Sequence, residues 1–93
     1  MKFVLNRSYG IFGLSNEACK ILNCERMSYY DFNLRTAPEL IKVVEDLGTK
    51  KASATWSNLE IVEIPDGFTD YVIEEHDGVE FVYYVIDGKI VKI

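Results

Sequence analysis

The 93-residue sequence predicts an α+β domain with two helices packed on a mostly antiparallel sheet. The order is strand, helix, helix, then four strands. Three observations carry this. Apolar residues recur at helical spacing around residues 15–24 and 36–47. From residue 59 the period changes to two. Two Asp-Gly pairs, Asp77-Gly78 and Asp87-Gly88, then punctuate the alternating runs as type I′ hairpin turns do.

Lys2 to Asn6 reads as a short apolar, partly β-branched strand. Residues 7–14 follow as a glycine-containing turn. Ser15 is the expected cap of the first helix, with Glu17 in its first turn and Leu14 as a staple; Ala18, Ile21 and Leu22 supply the period. This helix fades near Asn23 or Cys24. Residues 25–35 read as a loop or a short extended segment. Thr36-Ala37-Pro38-Glu39 has the form of a capping box, with Thr36 as cap and Pro38 in the first turn. Leu40, Ile41, Val44 and Leu47 form the stripe of the second helix, and Gly48 is its stop. Residues 49–58 read as a return loop.

Strands are expected over 59–64, 71–75, 79–86 and 89–93. In the third of these, Val79, Phe81, Tyr83 and Val85 share one face; Glu80, Val82, Tyr84 and Ile86 share the other. The sheet becomes mixed if the first strand joins the second through the helical crossover. The run 81–86 is apolar on both faces. It is either a central strand covered on both sides or a surface for self-association, because a bare apolar strand aggregates.

Length fits one domain over 1–93. Twelve of the residues are aromatic, six Tyr, five Phe and one Trp, which argues against disorder. Cys19 and Cys24 are too few for a disulfide scaffold, and their spacing is neither C-x-x-C nor a zinc knuckle, so they read as free thiols in a reducing cytoplasm. The start has no signal-peptide core, and no apolar run reaches the length of a membrane span. Residues 1–57 carry eight Lys/Arg against six Asp/Glu, a balance of +2; residues 58–93 carry two Lys against nine Asp/Glu, a balance of −7. The acidic half repels phosphates, so direct nucleic-acid binding is not expected.

The segment Arg7–Ser15 is the candidate site. It joins a strand to a helix N-terminus, where free N–H groups and the dipole favour a small anionic ligand or a partner contact. Gly10 and Gly13 permit close backbone approach. Arg7 offers a charged fork, Tyr9 a stacking face, and Ser8, Phe12 and Ser15 complete the set. The segment is neither a P-loop nor a Rossmann fingerprint, since no Gly-Lys-Ser/Thr ends it and one turn glycine is missing. The competing reading is a structural turn whose Ile11, Phe12 and Leu14 pack under the sheet. His76 is the only histidine and has no Cys/His cluster to join, so no metal is expected. The Cys19–His76 pair lacks an orienting group, and carboxylates such as Glu60 and Glu74 read as the wet side of a sheet. No catalytic set and no cofactor are expected.

Val4 to Ser15, Leu40 to Gly48 and Leu59 to Asp66, taken in order, resemble a family of small bacteriophage and prophage proteins of unknown function. Its members read N-R-C-Y-G-G-F-G-L-S, V-V-E-E-L-G and K-I-V-E-I-P-D, followed by a Y-D-G turn. Here Ser8 stands where the family often has Cys, Ile11 where it often has Gly, and His76 replaces the Tyr before Asp77-Gly78. Asp87 to Ile93 does not match the family's basic, Trp-containing tail. The first two departures weigh against thiol chemistry and close ligand approach at the loop. The resemblance implies a phage-encoded accessory protein in the cytoplasm of the bacterial host. It is read here as a non-enzymatic binder of a host or phage protein, with nucleotide or other small-molecule binding at 7–15 as the alternative.

Overall fold

Phe3-Val4-Leu5 is apolar on both sides of a strand, and its burial organises the molecule. In the computed structural model, which describes residues 1–93, β1 (Lys2–Asn6) pairs antiparallel with β2 (Leu59–Glu63), from Lys2 opposite Glu63 to Asn6 opposite Leu59. One face of this ribbon is covered by α1 (Asn16–Leu22) and α2 (Pro38–Ala52). The other is covered by β3 (Asp70–His76), β4 (Val79–Ile86) and β5 (Lys89–Lys92), an antiparallel meander in that order. Val4 and Leu59 pack among the helices with Leu14, Leu40, Val43 and Val44. Phe3 and Leu5 turn the other way and meet Ile73, Val82 and Tyr84. The architecture is thus α+β with three layers and a two-stranded ribbon in the middle. No helix is long and apolar enough to cross a membrane.

Four details differ from the sequence reading. The strands make two sheets rather than one, and of the pairings left open the antiparallel one holds. The helices return the chain to the end of β1 that it left, where Arg7 N donates to Asn58 O at 2.8 Å, so β2 runs back antiparallel. The ribbon does not extend past β1, because Arg35 O accepts from Val4 N at 2.9 Å there.

The helices pack on the ribbon alone, and the meander takes the opposite face. The cap of α2 is Ala37, with no side-chain hydrogen bond, instead of Thr36. Pro38 forces the preceding residue out of helical geometry, which moves the cap one place on. Glu39 accepts from the Tyr29 hydroxyl at 3.0 Å. Gly48 does break α2, at φ +81°, but Thr49 to Ala52 add one more turn. Ala52 is buried in the helical core, and that tertiary contact overrides the polar composition.

Other elements follow the pattern. Ser15 caps α1, its Oγ accepting from Ala18 N at 3.0 Å, and Asn23 closes the helix in the left-handed region. Residues 25–35 resolve into turns and a single 3₁₀ turn, Phe32–Leu34, capped by Asp31. Both Asp-Gly pairs have positive φ at both residues, as type I′ turns require.

Candidate functional site

The Arg7–Ser15 loop is built on Asn6, the last residue of β1, whose side chain is completely buried. Its Nδ2 donates to Gly10 O at 2.6 Å, Gly78 O at 2.9 Å and Ser8 O at 3.1 Å. Its Oδ1 accepts from Asn58 N at 2.8 Å and Ser8 Oγ at 3.1 Å. One amide therefore ties the loop to the β3–β4 turn and to the chain entering β2. Ser8 Oγ also donates to Trp56 O at 2.9 Å. At the far end, Leu14 N donates to Arg26 O and Ser15 N to Ala52 O.

Beneath the loop lies a buried ion pair. Arg35 and Glu80 are fully enclosed and meet through two parallel hydrogen bonds: Nη1 to Oε1, and Nη2 to Oε2 at 2.9 Å. Asn6 N donates to the same carboxylate at 2.7 Å. The rest of the guanidinium is spent on carbonyls of Tyr29, Tyr30 and Val4. Every donor of the fork is thus used, the condition under which a buried pair is tolerated. Phe12 covers it, its ring centroid 3.8 Å from the Arg35 guanidinium carbon. Arg7 joins the edge of this network by donating from Nη1 to Glu80 O at 2.8 Å.

The two loop glycines serve close packing. A Cβ on Gly10 would overlap Trp56 O, and one on Gly13 would stand 2.8 Å from the Trp56 indole nitrogen. Gly78 meets the loop from below, where any side chain would collide with the Gly10 and Tyr9 carbonyls. Of the candidate residues, Phe12 and Gly13 are buried, and Arg7, Ser8, Gly10 and Ser15 are half-buried. Tyr9 is 85% exposed. Ile11 and Trp56 also reach solvent, and the Arg26 guanidinium lies 5.4 Å from the indole centroid. The loop therefore presents an aromatic tip on a pinned base.

An anion cradle is poorly served by this geometry. α1 has only seven residues, and Ser15 takes Ala18 N and Cys19 N for its own cap. Gly13 faces the indole rather than open space. The Phe12 ring and Leu14 lie in the core, as the structural-turn reading expects, whereas Ile11 stays exposed.

Other singled-out residues lie apart from the loop. Cys19, midway along α1, and Cys24, just past its C-cap, are half-buried free thiols. Burial, and then the neighbouring Cys24, push the Cys19 thiol above its ordinary 9.0, so it rests protonated rather than as a nucleophile. His76 ends β3 in solvent, beside Phe81 in the meander layer, while Cys19 belongs to the helical layer. Glu60 and Glu74 do not face one another, because their strands belong to different sheets. Arg35, Glu80, Asn6 and Trp56 were not among the candidates. One sequence signal existed: Glu80 shares its strand face with Val82, Tyr84 and Ile86, and a charge on an apolar face needs a buried partner.

Comparisons with family models, with curated proteins and with solved structures give no match.

Proposed function

We propose that the protein is a non-enzymatic binder of another protein and that the tip of the Arg7–Ser15 loop makes the contact. The observation that carries this is Tyr9, 85% exposed at the summit of a loop whose backbone is anchored by a buried Asn6. An aromatic side chain on a rigid base loses little conformational freedom on binding, and such residues dominate interface energetics. Ile11 and Trp56 extend the same tip. With the family resemblance, this reading makes the chain a phage-encoded accessory protein that engages a host or phage protein in the bacterial cytoplasm. A small anionic ligand at the strand–helix junction has less support, since α1 has only seven residues and Gly13 packs against the Trp56 indole.

The test is paired capture from phage-infected cells with the wild-type chain and with Tyr9→Ser. Under low salt, the wild type should retain a partner in stoichiometric amount, and the variant should retain at least about tenfold less. Equal retention by both rules out the loop as the contact. Specific uptake of a nucleotide by the purified chain would favour the small-molecule reading instead.

A further inference from the structure

The outer face of the meander is separate from the tip of the loop and is reached only by Arg7 at the loop's base. It carries Asp70, Val72, Glu74 and His76 from β3, Val79, Phe81, Tyr83 and Val85 from β4, and Ile90 and Lys92 from β5. No layer covers it. Phe81 is roofed by cations, with Lys92 Nζ 4.1 Å and the Arg7 guanidinium 5.6 Å from its ring. The end away from the Asp77-Gly78 turn is bare. There Val72 is 51% and Ile90 75% exposed, flanking the half-buried Tyr83 and Val85 of the central strand. The charges around this patch are segregated: Asp70 and Glu74 on the β3 side, Lys92 on the β5 side. None of the three takes part in any of the molecule's ion pairs.

We propose that this patch is the interface of a two-fold dimer of the chain. The register supplies the argument. Val72, Tyr83 and Lys92 form one row across the sheet, and Asp70, Val85 and Ile90 the next. A two-fold axis parallel to β4 lays β5 of each copy over β3 of the other. Tyr83 and Val85 then meet their equivalents at the centre. Lys92 falls over the partner's Val72, diagonally between the partner's Asp70 and the partner's Glu74, and the contact occurs twice by symmetry. Each copy thus contributes both the acidic and the basic half of a self-complementary surface, as an isologous interface requires. An in-plane axis perpendicular to the strands would stack β3 on β3 and oppose like charges, so the charges select the first arrangement. Face-to-face packing of two twisted sheets at about 10 Å separation is an ordinary solution for such surfaces.

The experiment is sedimentation equilibrium of the full chain from about 1 to 100 µM, a range that brackets micromolar dimers. The variants are Ile90→Glu, Lys92→Glu, Glu74→Lys and the double charge swap. All three positions are exposed, and circular dichroism checks that each variant remains folded. The wild type should dimerise within the range. Ile90→Glu should weaken the dimer at least about a hundredfold, and each single charge reversal at least about tenfold. The double swap should dimerise more tightly than Lys92→Glu alone, because it restores the contact with position 74 and leaves only Asp70 opposed. A wild type that stays monomeric at the highest concentration overturns the proposal. So do single reversals that dimerise like the wild type, or a double swap no tighter than Lys92→Glu. Loss of the dimer with partner capture by Tyr9 intact, or the reverse, separates this inference from the loop-binding reading.

Discussion

At the scale of single residues, the strongest dependence is on Arg35 and Glu80. The two charges have been taken out of water and are held by one another, by neighbouring peptide groups and by the Phe12 ring over the guanidinium. Removing one leaves the other buried and unpaired, so Arg35→Met or Glu80→Gln should cost about 3–5 kcal/mol in denaturant unfolding. Arg35→Met combined with Glu80→Leu should cost well below the sum of the single changes, because no orphan charge remains. Gly78→Ala should cost at least about 2 kcal/mol in the same assay. It places a methyl group against two carbonyls at a residue with φ of +91°.

Tyr29 gives a pH dependence. Burial first, and then its hydrogen bond to the Glu39 carboxylate, raise its pKa above the usual 10.0. The folded state therefore holds the phenol proton more tightly than the unfolded chain does. The resulting stabilisation is complete below pH 10 and declines as pH rises through the folded value. Thermal melting should accordingly show an alkaline decline above pH 10 that is shallower in Tyr29→Phe. Equal slopes in both would remove Tyr29 as its source.

At the scale of elements, the two helices test what a cap is worth. Ser15 bonds to Ala18 N, so Ser15→Ala should lose about 1 kcal/mol. Thr36 matches a capping box in sequence yet makes no cap bond, so Thr36→Ala should change stability by less than about 0.5 kcal/mol. Urea titration of the two variants compares these values directly. The pair also shows where local reading succeeds. Ser15 lies next to an ordinary helical start, whereas Pro38 displaces the start of α2 by one residue. The alternating strands and the Asp-Gly turns were legible because period and turn geometry are set within a few residues. The added turn Thr49–Ala52 was not, because only its distant packing against the helical core explains it.

At the scale of the whole molecule, the α+β class and the element order were legible, but the layering was not. Nothing local says that the meander folds over the ribbon instead of continuing it. That follows from Phe3 and Leu5 needing cover on the side that the helices leave open. The candidate loop was visible through its glycines, yet its foundation was not. Asn6, Arg35 and Glu80 are separated by tens of residues, and a single sequence does not record which charges will meet. Glu80 alone stood out, as a carboxylate on an otherwise apolar strand face.

The ribbon at the centre of the sandwich also sets a timetable. Phe3 pairs with Val62, so the first strand has no partner until most of the chain exists. The meander by contrast closes through two local turns, Asp77-Gly78 and Asp87-Gly88. Closing short loops is fast and joining distant segments is slow, so the hairpins should assemble before the N-terminal strand docks. Stopped-flow measurements would read this order. Gly88→Ala, which disturbs a left-handed turn position at φ +73°, should chiefly slow folding. A trimming change at the late contact, Phe3→Leu, should chiefly speed unfolding. During synthesis, the strand made first would then be the last to find its place, and the newborn chain would carry Phe3, Val4 and Leu5 unprotected until the ribosome has released the residues that shelter them.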